Sequence, residues 1–195
     1  MKKILIILIT IVATGVFSVT LAGSVLYDSS GEVSLPKNSR ISTMKADLST
    51  YPTHLSIPRI GVEAQVIQVG VTKKGNMATP RNFTDVGWYK YGTVPGQFGS
   101  AVIAGHLDNG LALPGVFTKL NHIQKGDDIY LTDGKNKVQH FVVTKTALYD
   151  FDASASEVFN NKNGKILNLI TCAGNWMTKY KTHGQRLVVT SKLVE

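Results

Sequence analysis

KILNLITCAGNW, Lys165–Trp176, holds the single cysteine of the chain, and its reading decides the rest. The run before Cys172 is rich in Ile and Leu and reads as a β-strand. Alternation puts Ile166, Asn168, Ile170 and Cys172 on one face and Leu167, Leu169 and Thr171 on the other. Ala173 and Gly174 end the apolar run. Cys172 is therefore expected at a strand terminus, on a rim where scaffolds carry chemistry. A mid-strand, dry Cys172 would instead be a small core hydrophobe.

The segments around it have the same style. THLSIPRIGVEAQVIQVG, SAVIAGH, DDIYLTD, KVQHFVVTKTALY and QRLVVTSKLV are short runs of Val, Ile, Thr and Tyr broken by Gly, Pro, Asn and Asp. Such residues suit a pleated, half-buried surface. Their spacing predicts an all-β sandwich or closed barrel. Helical signals are few. Val116–Ile123 predicts about two turns, and Ser154 with Glu157 three residues on predicts a capping box opening a helix over 154–161.

The 195 residues fit one ordinary domain with some chain to spare. The composition is globular, with 43% hydrophobic and 17% charged residues, and the net charge is +8. The basic residues are scattered, without the Lys/Arg-rich run of a nucleic-acid binder. No nucleotide-binding motif and no Cys/His metal spacing is present.

Ile4–Tyr27 carries no charge and follows Lys2 and Lys3. As a helix it would span about 36 Å, against roughly 30 Å of hydrocarbon. A cleaved signal peptide is the competing reading, with Thr20-Leu21-Ala22 as its cleavage site. The apolar run continues past that site, which favours an uncleaved anchor over residues 1–27. The two lysines then stay in the cytoplasm and the remainder faces outward. Residues 28–51 read as a polar stalk and 52–195 as the domain. An exported chain with one cysteine has no internal disulfide to form, which leaves a reactive thiol or an intermolecular pairing.

A nucleophilic thiol needs a base or cation beside it. His106 follows the apolar strand AVIA and Gly105, at a second expected strand end. His183, in the expected loop after Cys172, is the rival. His54, His122 and His140 are placed before the first strand, in the expected helix and mid-strand. Arg186 opens the last strand. If the strands holding Cys172 and Arg186 form a hairpin, the two side chains meet, and Arg186 offers charge and donors to an oxyanion.

VIAGH (Val102–His106), LITC (Leu169–Cys172) and RLVV (Arg186–Val189) together resemble the sortases, the membrane-anchored cysteine transpeptidases found mainly in Gram-positive bacteria. IPRIGV, PGQFGSAVIAGH and FTKLNHIQKGDDIYL extend the likeness over Pro52–Glu195. The resemblance implies a closed eight-stranded β-barrel with one or two short helices. It maps His106, Cys172 and Arg186 onto the family's catalytic residues. Cys172 would attack the Thr–Gly bond of an LPXTG-like sorting signal, Arg186 would hold the substrate and oxyanion, and His106 would move the proton. An amine from a cell-wall precursor or another protein would resolve the thioacyl intermediate.

Thr171, through its backbone or hydroxyl, and Trp176, as a wall, are expected to bind substrate. So are the loops 149–165 and 173–185. No cofactor or metal is expected; some sortases bind calcium through loop carboxylates, and no particular Asp or Glu here matches them. No lid motif, second membrane segment or long helical insertion is seen, which points to the compact D, E or F types. LPKN in the stalk lacks the Thr of a sorting signal and sits at the wrong end for one. The family pattern T-L-x-T-C is broken by Asn168, which puts subclass and substrate preference in question. Exported cysteine peptidases and L,D-transpeptidases also use such residues, but the latter's Gly-Cys signature is absent. A degenerate peptide-binding barrel is a further alternative.

Overall fold

The computed structural model describes residues 50–109 and 111–194. Its eight strands are β1 (Pro52–Ile57), β2 (Val62–Val69), β3 (Val86–Tyr89), β4 (Gly99–Ala104), β5 (Asp128–Asp133), β6 (Val138–Asp150), β7 (Lys165–Met177) and β8 (Thr182–Leu193). They close a barrel in the order β1-β2-β3-β4-β7-β8-β6-β5, sealed by the antiparallel β1–β5 pair. The β2–β3 and β4–β7 pairs are parallel. The choice between sandwich and barrel is thus resolved for the barrel, and every segment read as a strand contributes one. His54 lies within β1 rather than before it. The N-terminal anchor and residues 28–49 of the stalk lie outside the described residues. No helix among the described residues is long and apolar enough to cross a membrane. Tyr51 packs on the domain, its ring 4.8 Å from that of Trp88.

Alternation along the strands builds two apolar layers. Inward-facing Leu55, Ile57, Ile103, Phe141, Leu167, Leu169 and Val189 fill the barrel. Outward-facing Val102, Ala104, Ile170 and Val188 meet Val158 and Phe159 of the short helix α1 (Ser156–Asn160). Each fully buried side chain of this size contributes about 1.5–3 kcal/mol. Strands β4, β7 and β8 are therefore covered on both sides.

Strand β3, VGWY, escaped the reading because all four of its residues are buried and nothing alternates. The expected helix over 116–123 is only a 3₁₀ turn, Leu120–His122. Phe117, Leu120 and Ile123 are buried at a strict spacing of three, which matches the three residues per turn of a 3₁₀ helix. The expected capping box is also absent: Ala155 occupies the N-cap of α1 without a side-chain bond. Glu157 instead accepts a hydrogen bond from the Tyr149 hydroxyl on β6. Burial first, and then the Glu157 carboxylate, push Tyr149 up to about 12, so the hydroxyl keeps its proton and ties β6 to α1.

Asn168 explains its departure from the family pattern. It is 2% exposed. Its Nδ2 donates to Ser100 Oγ at 2.7 Å and to Val158 O at 2.8 Å, and its Oδ1 accepts from Thr190 Oγ1 at 2.7 Å. One amide thus joins β4, β7 and β8 to a carbonyl of α1 that so short a helix leaves without an intrahelical donor. A threonine hydroxyl has a single hydrogen to donate and cannot serve both acceptors. Asn168→Ala should cost about 3 kcal/mol by leaving buried polar groups unmatched. A thermal melt should show a fall of roughly 10 °C; an unchanged midpoint would refute the role.

Candidate active site

Cys172 and Arg186 are direct cross-strand partners in the β7–β8 ladder. Directly opposed residues share a face, with their Cβ atoms about 4.5–5.5 Å apart. The β4–β7 ladder ends with Ala104 beside Ile170, and the Gly105 amide donates to Ile170 O at 3.0 Å. Cys172 lies two residues beyond that pair on β7, and His106 lies two residues beyond it on the segment that leaves β4. The register sets Cys172 beside Arg186 on the outer face that carries Ile170 and Val188, and the segment that leaves β4 carries His106 past the same end of the β4–β7 ladder. His106, Cys172 and Arg186 are only 3%, 6% and 4% exposed.

Cys172 is not at a strand terminus as expected, because β7 continues to Met177. What ends near Cys172 is the regular ladder. The register shifts between Ala173 and Trp176, where Gly174 takes φ 74°, and pairing resumes at Trp176–His183 and Met177–Thr182. Residues 173–185 are accordingly a projecting β-hairpin rather than a loop. Half-exposed Trp176 stands on it. Thr171 points the other way, into the barrel with Leu169 and Leu187, and its buried hydroxyl makes no hydrogen bond. A role for that hydroxyl at the oxyanion is thereby corrected; the Thr171 backbone keeps its place beside Cys172.

His106 Nε2 lies 2.8 Å from Pro80 O. A carbonyl only accepts, so Nε2 carries hydrogen and Nδ1 is the ring nitrogen left for proton exchange. Phe83 packs on the ring at 4.7 Å. Gly115 fixes the backbone: a Cβ there would stand 2.5 Å from His106 O. Gly115→Ala should displace His106 and lower kcat about 100-fold, by the cost of misplacing a reacting group. Steady-state kinetics with thermal melts checks this, and a wild-type kcat would contradict it.

Arg186 is held by three bonds. Nη1 donates to His183 O at 3.0 Å and Gln185 O at 2.8 Å, and Nη2 donates to Thr182 Oγ1 at 2.9 Å. A planar guanidinium fixed in this way is a preorganised positive group next to the thiol. His54, His140 and His183 are engaged elsewhere. His54 pairs with Glu63, whose carboxyl is held below its usual value by the Ser56 hydroxyl first and then by His54. His140 pairs with Asp128 and stacks on Tyr130. His183, the rival base, lies in β8 and turns to Asp108 and Gly174. The sequence reading missed Pro80, Phe83, Asp108 and Gly115; each acts through fold-dependent proximity and carries no local signature.

Among the described residues no group of three or more His, Cys, Asp or Glu side chains is placed to hold a metal ion. The chain matches the family model described as a Sortase domain over residues 55–194. The search of curated proteins finds no match. Similar solved structures include sortase C2 of Group B Streptococcus pilus island 1, at 25% identity over 73% of each chain and a TM-score of 0.56. Sortase C-1 from Actinomyces oris is 21% identical over 80% of this chain and 77% of its own, with a TM-score of 0.59. The sortase D5 transpeptidase of Clostridium perfringens is 22% identical over 73% and 78%, with a TM-score of 0.55.

Proposed function

The chain belongs to the sortase family and is a sortase transpeptidase, and we propose that His106, Cys172 and Arg186 carry its reaction. The Cys172 thiolate attacks the carbonyl carbon at the Thr–Gly bond of an LPXTG-like sorting signal. Arg186 faces the oxygen that becomes anionic. As the C–N bond breaks, His106 delivers a proton from Nδ1 to the departing amine, leaving a thioester on Cys172. A second amine, from a cell-wall precursor or another protein, attacks that thioester. It gives its proton back to His106, and the new amide leaves as Cys172 regains its electron pair. The observation that supports this reading above the others is the register that pairs Cys172 with Arg186 and ends β4, two residues before His106, beside Ile170.

The Thr171 backbone and Trp176 border the substrate path in this account, and residues 151–164 with α1 form its other wall. No cofactor enters the chemistry. Residues 1–27 anchor the chain as a single-pass membrane protein, with the N-terminus cytoplasmic and the domain extracytoplasmic, anchoring surface proteins to the wall of a Gram-positive cell. The compact D, E or F type fits the four-residue turn between β7 and β8 and the five-residue α1.

The test is a panel of LPXTG-like peptides against a panel of amines, using the full chain and identifying products by mass. Peptide–amine conjugates are the expected products. Hydrolysis alone in excess amine would favour an exported cysteine peptidase, and binding without turnover would favour a degenerate barrel.

A further inference from the structure

Asp108 lies two residues beyond His106, on the segment leaving β4, where it bridges to Pro114. Across the site, His183 lies three residues before Arg186 on β8 and is 8% exposed. Its Nε2 is 3.2 Å from Asp108 Oδ1 and 3.1 Å from Oδ2, while its Nδ1 is 3.0 Å from Gly174 O. Both partners of the ring are acceptors, so both ring nitrogens carry hydrogen when both bonds are made. The contact with Asp108 is then a charge-assisted bond between an imidazolium and a carboxylate. The Trp176 ring meets His183 edge-on at 5.4 Å and shields it.

Three links converge on this one residue. Its carboxylate partner sits on the segment that carries His106. Its Nδ1 grips Gly174, two residues from Cys172 at the break in the ladder. Its main-chain oxygen accepts from Arg186 Nη1. Yet the histidine ring takes the opposite strand parity to Arg186 and is spent on bonds of its own, so it is not a base for the thiol.

We propose that His183 and Asp108 form a charged clasp that fixes the spacing between His106 and the Cys172–Arg186 pair. They are positioning residues for the transfer reaction, and the idea rests on the transpeptidase reading above. Among the described residues no strand pairs with the hairpin on the β4 flank beyond Ala173, and this clasp ties it to the His106 segment. Loss of the clasp lets the hairpin drift and spoils the alignment of donor and nucleophile.

The experiment compares the full chain with Asp108→Asn, His183→Gln and the double variant. Asparagine and glutamine keep polarity and approximate shape but cannot form the charged pair. Each single change should lower kcat about tenfold with KM nearly unchanged, as expected for misaligned reacting groups. The double variant should be no slower than the worse single, because one contact is lost in every case. Amide exchange over residues 173–186 should quicken in all three while the barrel strands keep their protection. Wild-type kcat in either single variant, additive losses, or an effect confined to KM would overturn the proposal. Unchanged exchange in the hairpin would overturn it even for a chain that turns over no peptide. Failure of the wild-type chain to join peptide to amine would count against the transpeptidase reading instead.

Discussion

Cys172→Ala should abolish transfer and leave the barrel folded. Cys172 carries the single thiol of the chain, so no other cysteine can replace it as the proposed nucleophile. The side chain borders the outer apolar layer formed by Ile170, Ala104 and Val188, so its loss leaves a small gap there. Truncating it to alanine costs on the order of 1 kcal/mol. The melting midpoint should move by a few degrees, while the rate falls at least about 10⁴-fold, the scale seen when a nucleophile is removed from a working unit. A chromatographic assay of peptide–amine conjugate reads the rate and a thermal melt reads the fold. Conjugate formed at an appreciable fraction of the wild-type rate would exclude Cys172 as the nucleophile.

Arg186→Lys should cost about 10²–10³ in kcat, although it keeps the charge. The guanidinium serves two carbonyls and the Thr182 hydroxyl while lying beside Cys172. A lysine ammonium has three donors on a flexible stem and cannot reproduce the planar fork. Without it, the His183 and Gln185 carbonyls lose their partner, and the positive group is no longer held in advance of reaction. The loss should fall on kcat more than on KM, because the charge it answers develops in the transition state. Full kcat in Arg186→Lys would show that charge alone suffices, and full kcat in Arg186→Ala would remove Arg186 from the oxyanion role.

The strands were legible where one strand face differs from the other or where turn residues bound a run, as at β2, β5 and β6. Strand β3 was hidden because all of VGWY is buried. The 3₁₀ turn at Leu120 was read as helix because spacings of three and of three-and-four overlap in a short segment. Cys172 was placed at a strand end because Ala-Gly punctuates its run; a bulge and Gly174 let pairing resume beyond it. The pairing of Cys172 with Arg186 was legible, since each stands at the edge of an apolar run and the two runs form a hairpin. Their supporting residues were not. Pro80 and Gly115 reach His106 from loops, and Asp108 and Ser100 meet His183 and Asn168 only because the strand order sets β4 beside β7 and β8. Asn168 read as a mismatch and proves to be the joint between α1 and three strands.

The most direct measurement is the intact mass of the full chain after brief exposure to an LPXTG-like peptide without added amine, followed by peptide mapping. The account predicts an adduct equal to the acyl fragment up to the threonine, mapped to Cys172 and discharged by adding an amine. An adduct on another residue, or steady cleavage with Cys172 unmodified and Cys172→Ala equally active, would contradict it.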